Sequence, residues 1–263
     1  MKRNQLEKTG CLFLIIFFVA SCAGDTHLRM EQAKASRKLG EAYLKEGNYT
    51  YALRELLKAE KLNSNDHILQ NDLGIAYRKK GKADLAIMHF KKALKIKPDY
   101  SPARNNLGAA YYDKKDWNRA IACFTEVASD LLYATPHYPL YNLGRCYYGK
   151  KEYKLSEKYY LAALDAQPKF ANAFRGLGQT YIAMKRFSAA VTALESAVKI
   201  APEFAGAYFD LGRAYRLSHK HKKAYNAYRK VISLVPELPF AVEAEKEIKK
   251  IRIKRPVLLR QKK

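Results

Sequence analysis

A Leu-Gly pair returns along the chain at a nearly fixed interval: Leu39-Gly40, Leu73-Gly74, Leu107-Gly108, Leu143-Gly144, Leu177-Gly178 and Leu211-Gly212. The glycine spacings are 34, 34, 36, 34 and 34 residues. A period of this size marks a chain of stacked supersecondary units, each too small to bury its apolar face alone. Other positions keep the same phase. A tyrosine stands three residues after every glycine: Tyr43, Tyr77, Tyr111, Tyr147, Tyr181 and Tyr215. A small residue follows at twelve (Ala52, Ala86, Ala120, Ser156, Ala190, Ala224) and a large one four further on (Leu56, Phe90, Phe124, Tyr160, Leu194, Tyr228). Pro98, Pro168, Pro202 and Pro236 close most units.

Each position has a physical reason. A glycine inside a helix costs about 1 kcal/mol relative to alanine, so six at one phase need a packing purpose. We read the glycine and the later small residue as the contact between the two helices of a unit. The tyrosine fills the space beside it, and the large residue packs into the next unit. The proline ends the second helix because it lacks an N–H and clashes with the preceding turn. Turns between helices are marked by Glu46-Gly47-Asn48, by Lys80-Gly81-Lys82 and by lysine-rich equivalents later. On these residues, about 33–236 resembles the tetratricopeptide repeat. The resemblance implies an all-α, right-handed superhelical solenoid of six helix pairs. Residues 237–253 read as a C-terminal capping helix, with Phe240, Val242, Ile248 and Ile251 apolar and Glu243, Glu245, Lys246, Glu247 and Lys249 on the other face. Residues 254–263 form a basic tail.

The N-terminus reads as an export signal. Lys2, Arg3 and Lys8 precede an uncharged run from Cys11 to Ala20, too short to span a bilayer and suited to a signal-peptide core. It ends in Val19-Ala20-Ser21-Cys22, which resembles the bacterial lipobox. That resemblance implies cleavage after residue 21, lipid on Cys22 and a tether over 22–32. Ala23 follows the cysteine where an inner-membrane lipoprotein carries aspartate, so the expected location is the periplasmic face of the outer membrane.

Lys+Arg outnumber Asp+Glu by 49 to 25, a formal charge of +24, and losing residues 1–21 leaves about +22. Such an excess points to an anionic partner. An exported chain does not ordinarily meet nucleic acid, so lipid headgroups, envelope polyanions or an acidic protein surface are the candidates. Cys123 and Cys146 remain after processing. An oxidising periplasm permits a disulfide between them, while helical cysteines are more often separate buried side chains.

No motif of hydrolytic, phosphate-binding or metal chemistry is present. His219 and His221 flank Lys220 in a turn, where solvated polar residues are the ordinary reading and a shared metal the rarer one. The sequence therefore reads as a protein-binding module with no catalysis, cofactor or small-molecule substrate. In tetratricopeptide arrays the concave face, lined by the first helix of each repeat, does the binding. The candidate groove residues are Asn71, Arg78, Asn105, Tyr112, Tyr141, Arg145, Tyr148 and Arg175, with tyrosine and arginine the types favoured at binding hot spots.

The 36-residue spacing places two extra residues within Ser129-Asp130-Leu131-Leu132-Tyr133-Ala134-Thr135-Pro136. One reading is a tolerated insertion whose apolar residues cover the core; the other is a family feature. Asp130, Leu132, Tyr133, Pro136 and Asn142-Leu143-Gly144 resemble a stretch of the type IV pilus pilotin lipoproteins of the PilF/PilW and Tgl type. This resemblance implies a protein partner, a pilus secretin subunit escorted to the outer membrane and helped into its ring. The basic tail departs from that pattern. The alternative is a general periplasmic scaffold lipoprotein that docks cell-wall hydrolases or other envelope proteins.

Overall fold

The computed structural model describes residues 27–253; Cys22, the signal segment and the basic tail lie outside the described residues. Thirteen helices and no strand are found among them. They divide into two compact units at residues 114 and 115. The first holds α1 (27–45), α2 (Tyr49–Leu62), α3 (His67–Lys79), α4 (Ala83–Ile96) and α5 (Ser101–Asp113). The second holds α6 (Trp117–Ala128), α7 (His137–Gly149), α8 (Tyr153–Ala166), α9 (Ala171–Ala183), α10 (Phe187–Ile200), α11 (Ala205–Leu217), α12 (His221–Leu234) and α13 (Pro239–Ile253). Residues 27–32, assigned by sequence to the tether, are already helical.

The recurrent glycines sit where two helices of one repeat meet. A Cβ on Gly40 would stand 2.6 Å from Leu56 Cγ, one on Gly144 2.8 Å from the Tyr160 ring, and one on Gly212 2.7 Å from Tyr228. Gly74 meets Phe90 and Gly178 meets Leu194 in the same way. This corrects the assignment of the large residue: it covers the glycine of its own repeat first. Tyr160 does both jobs, because its far edge lies against Gly176 of the following repeat. The small residue is buried throughout, from Ala52 to Ala224. Where it is Ser156, the hydroxyl donates to the Gly144 carbonyl at 2.9 Å and lies 3.0 Å from the Thr180 hydroxyl, so the polar group is not left unmade.

The turn inside each repeat follows one plan. The carbonyl of the recurrent tyrosine accepts from the N–H five residues on: Tyr43 from Asn48 at 2.8 Å, Tyr77 from Lys82 at 2.9 Å, Tyr147 from Glu152 at 2.9 Å. This helix ending requires one residue in the left-handed region. Gly47 and Gly81 fill it at φ +80° and +73°; Lys115, Lys151, Lys185 and His219 fill it at 59–63°.

The capping helix differs from its sequence reading. Phe240 and Val242 are 42% and 54% exposed, whereas Ala241, Ala244, Ile248 and Ile251 are buried. Spacings of three, four and three residues put those four on one helical stripe, a register that residues 240 and 242 do not share. On the same side, Glu247 reaches Arg216 of α11 at 2.9 Å and Lys250 at 2.5 Å.

Candidate functional site

The candidate residues fall into two groups, one in each unit. In the first unit, Asn71 is buried and its side-chain oxygen accepts from Asn106 at 2.9 Å. Arg78 donates to Asp113 at 2.7 Å. Asn105 and Tyr112 are half-buried on α5. Arg37 of α1 lies 3.9 Å from Asp72 and 3.3 Å from Asp66. Arg175 in the second unit donates to Asp210 at 2.7 Å, an oxygen that also accepts from Gln179 at 2.8 Å.

These contacts form a ladder between successive first helices. Its rungs are Arg37–Asp72, Asn71–Asn106, Arg78–Asp113 and Arg175–Asp210, each pairing a residue with the one 35 positions later. Sequence reasoning missed the ladder, although the spacing was visible: one residue more than the repeat period, repeated with complementary side chains. Asn71, Arg78 and Arg175 therefore work in repeat-to-repeat contacts. Burial pushes the carboxyl of Asp72 up to about 7 even with Arg37 beside it. The same cause raises Asp210, against the pull of Arg175.

Tyr141, Arg145 and Tyr148 share one face of α7, one turn apart, and all are half-buried. The Arg145 guanidinium lies 5.7 Å from the Tyr141 ring centroid, and its Nη1 donates to Asn142 at 3.4 Å. Tyr148 meets Tyr153 at 5.7 Å. Tyr141 is more deeply engaged than sequence suggested. It packs on the core of the second unit, 5.1 Å from Phe170 and 5.7 Å from Tyr160. Its substitution would disturb folding as well as any partner, so Arg145 and Tyr148 are the cleaner probes of this row.

In the insertion before α7 Tyr133 is half-buried, but the two leucines cover no core. Leu131 and Leu132 are 98% and 92% exposed, which removes for them the covering role considered from sequence. No disulfide joins Cys123 and Cys146, and burial pushes the Cys146 thiol up to about 12. His219 and His221 lie 6.1 Å apart by ring centroid and line a cavity of about 450 Å³ with Arg216, Leu217, Lys250 and Ile251. Two cations in that lining would repel a metal ion.

Family models described as TPR repeat or tetratricopeptide repeat match residues 74–115, 138–170 and 175–239, together more than half of the chain. No curated protein matches by sequence. Among solved structures, the type IV pilus biogenesis factor PilW has a TM-score of 0.74 at 21% identity, over 81% of this chain and 98% of that one. PilF of Pseudomonas aeruginosa has a TM-score of 0.69 at 20% identity, over 83% and 99%. YrrB, described as a TPR protein with an unusual peptide-binding site, has a TM-score of 0.51 at 20% identity, over 73% and 97%. Identities this low speak to the fold, and the fold they share agrees with the glycine contacts and turns above: the chain belongs to the tetratricopeptide-repeat proteins.

Proposed function

We propose that this chain is a lipid-anchored outer-membrane protein that binds a secretin subunit of a type IV pilus and assists its assembly, without catalysis of its own. The observation that carries the reading is the α7 row. Arg145 and Tyr148 stand half-buried at one-turn spacing on a first helix, with the Arg145 guanidinium against the Tyr141 ring. Tyrosine supplies contact area at low entropic cost, and arginine a forked donor for a carboxylate or carbonyl. The near-complete coverage of PilW and PilF, and the lipobox-like Val19-Ala20-Ser21-Cys22, favour this reading over a scaffold for other envelope proteins.

The test is secretin multimer formation on non-denaturing gels. Deleting the gene should deplete multimers, and the double substitution Arg145→Glu, Tyr148→Ala should do the same while lipidation and the helical signal persist. If multimers form normally without the protein, the secretin reading fails and the general scaffold replaces it.

A further inference from the structure

The two leucines of the insertion are the most exposed large apolar side chains among the described residues. The backbone that carries them is tied into a turn. The Asp130 carbonyl accepts from the Tyr133 N–H at 3.1 Å, closing a four-residue turn with Leu131 and Leu132 at its centre. The Asp130 carboxylate accepts from the Leu132 N–H at 3.0 Å, and the Asp130 N–H donates to Val127 at 3.2 Å. Turn centres ordinarily carry glycine, proline, asparagine, aspartate or serine. Here the turn chemistry is supplied by Asp130, and the tip is given to leucine.

The base of the insertion runs into an aromatic cluster. His137, Tyr138 and Phe170 meet at ring distances of 4.2, 5.2 and 5.7 Å, and Phe170 packs on Tyr141 at 5.1 Å. Tyr138 is 46% exposed. The leucine turn thus leads within a few residues into an aromatic cluster that reaches Tyr141 of the α7 row.

Charge decides between a bilayer and a protein as the occupant. In a chain of formal charge +24, no lysine or arginine occurs between Arg119 and Arg145. The only formal charges in that stretch are Glu126 and Asp130. A loop meant for anionic lipid would keep its cations close; this one is cleared of them. A preformed turn also loses little conformational freedom on docking, which suits a shaped pocket.

We propose that the Leu131–Leu132 turn is a preformed apolar plug that seats in an apolar pocket of the protein bound by the α7 row, which on the reading above is the secretin subunit. Because both side chains face solvent, Leu131→Ser with Leu132→Ser should leave the thermal unfolding curve unchanged. The affinity of the full chain for purified secretin subunit should fall about tenfold or more, since each leucine loses the gain of full burial. In cells, multimers should fall while lipid labelling and membrane fractionation stay normal. Equal multimers with wild type and the double variant would overturn the plug and leave the secretin reading standing. Normal multimers without the protein would overturn both. Flotation of the full chain with phosphatidylethanolamine–phosphatidylglycerol vesicles that depends on the two leucines would assign the turn to lipid instead. A dimer in sedimentation that the double variant abolishes would assign it to a second copy.

Discussion

Replacing Gly144 by alanine tests the packing logic of the repeat in one atom. On an open helix the change would stabilise by about 1 kcal/mol. Here the new Cβ would stand 2.8 Å from Cδ1 and Cε1 of Tyr160 and 3.0 Å from Cγ. Carbon atoms prefer about 3.5–4.0 Å, so the ring must withdraw by the better part of an ångström. It has nowhere to go: Tyr160 is buried, and its far edge already fills the space over Gly176. Overpacking of this kind costs about 1–3 kcal/mol, so the expected result is a net loss of up to about 2 kcal/mol after the propensity gain. The contrast sharpens in a Tyr160→Val background. With the ring gone, the same Gly144→Ala change should become stabilising by about 1 kcal/mol. Urea unfolding followed by tryptophan fluorescence reads the right region. Trp117 is the only tryptophan, and its ring would lie 3.0 Å from a Cβ on Gly149, at the end of the helix that carries Gly144. Stacked repeats can unfold piecewise, so a local probe is worth more than a global one. If Gly144→Ala stabilises the wild-type chain by the full propensity gain, Tyr160 does not occupy that groove and the reasoning is wrong.

Three further outcomes are expected. Arg175→Ala should destabilise the second unit by about 3 kcal/mol, because it strands the buried Asp210; adding Asp210→Asn should restore part of that loss in the same urea titration. Asp72 holds its proton up to about pH 7 when folded, against 3.8 for an ordinary aspartate. The folded state then binds the extra proton, so this group's contribution to stability falls as pH rises from about 4 to 7 and is level above. Asp72→Asn should therefore gain on wild type by about 1 kcal/mol or more at pH 8 and match it near pH 4; a difference that does not change with pH would refute the assignment. Buried His89, with its pKa lowered, slopes the opposite way below about pH 6.5, but it is common to both proteins and cancels. Finally, labelling with a radioactive fatty acid should mark the wild type and not Cys22→Ser, and equal labelling would dispose of the lipid anchor.

The helix pairs and their turns were legible in sequence because they obey strict periods. The six glycines, the tyrosines three residues on and the small residues at twelve repeat with hardly an exception. The capping helix was legible in extent but not in face. Alanines 241 and 244 carry little hydropathy signal, so the larger Phe240 and Val242 drew the assignment while helical geometry buried the alanines. The ladder was not legible from residue type alone. A residue type seen on a first helix says nothing about whether the next repeat has already taken it. Arg175 is committed to a buried aspartate 35 residues away. Only a complementary residue at that distance reveals such a rung, as Asp210 does for Arg175.

The division between ladder and row also explains why a binding device can sit at the 129–136 junction. In a stacked array each repeat makes its contacts with its own partner helix and its immediate neighbours. Two residues added between repeats leave those contacts in phase, since the spacing returns to 34 at once. The insertion needs only to satisfy its own backbone, and Asp130 with Ser129 does this through bonds to Leu132 and Glu126 at 3.0 and 2.9 Å. Nothing in the core then depends on what stands at positions 131 and 132, and solvent exposure of two leucines is a standing liability for a free chain. A segment that folding does not constrain, and that solubility would rather fill with polar residues, is one whose leucines answer to a partner.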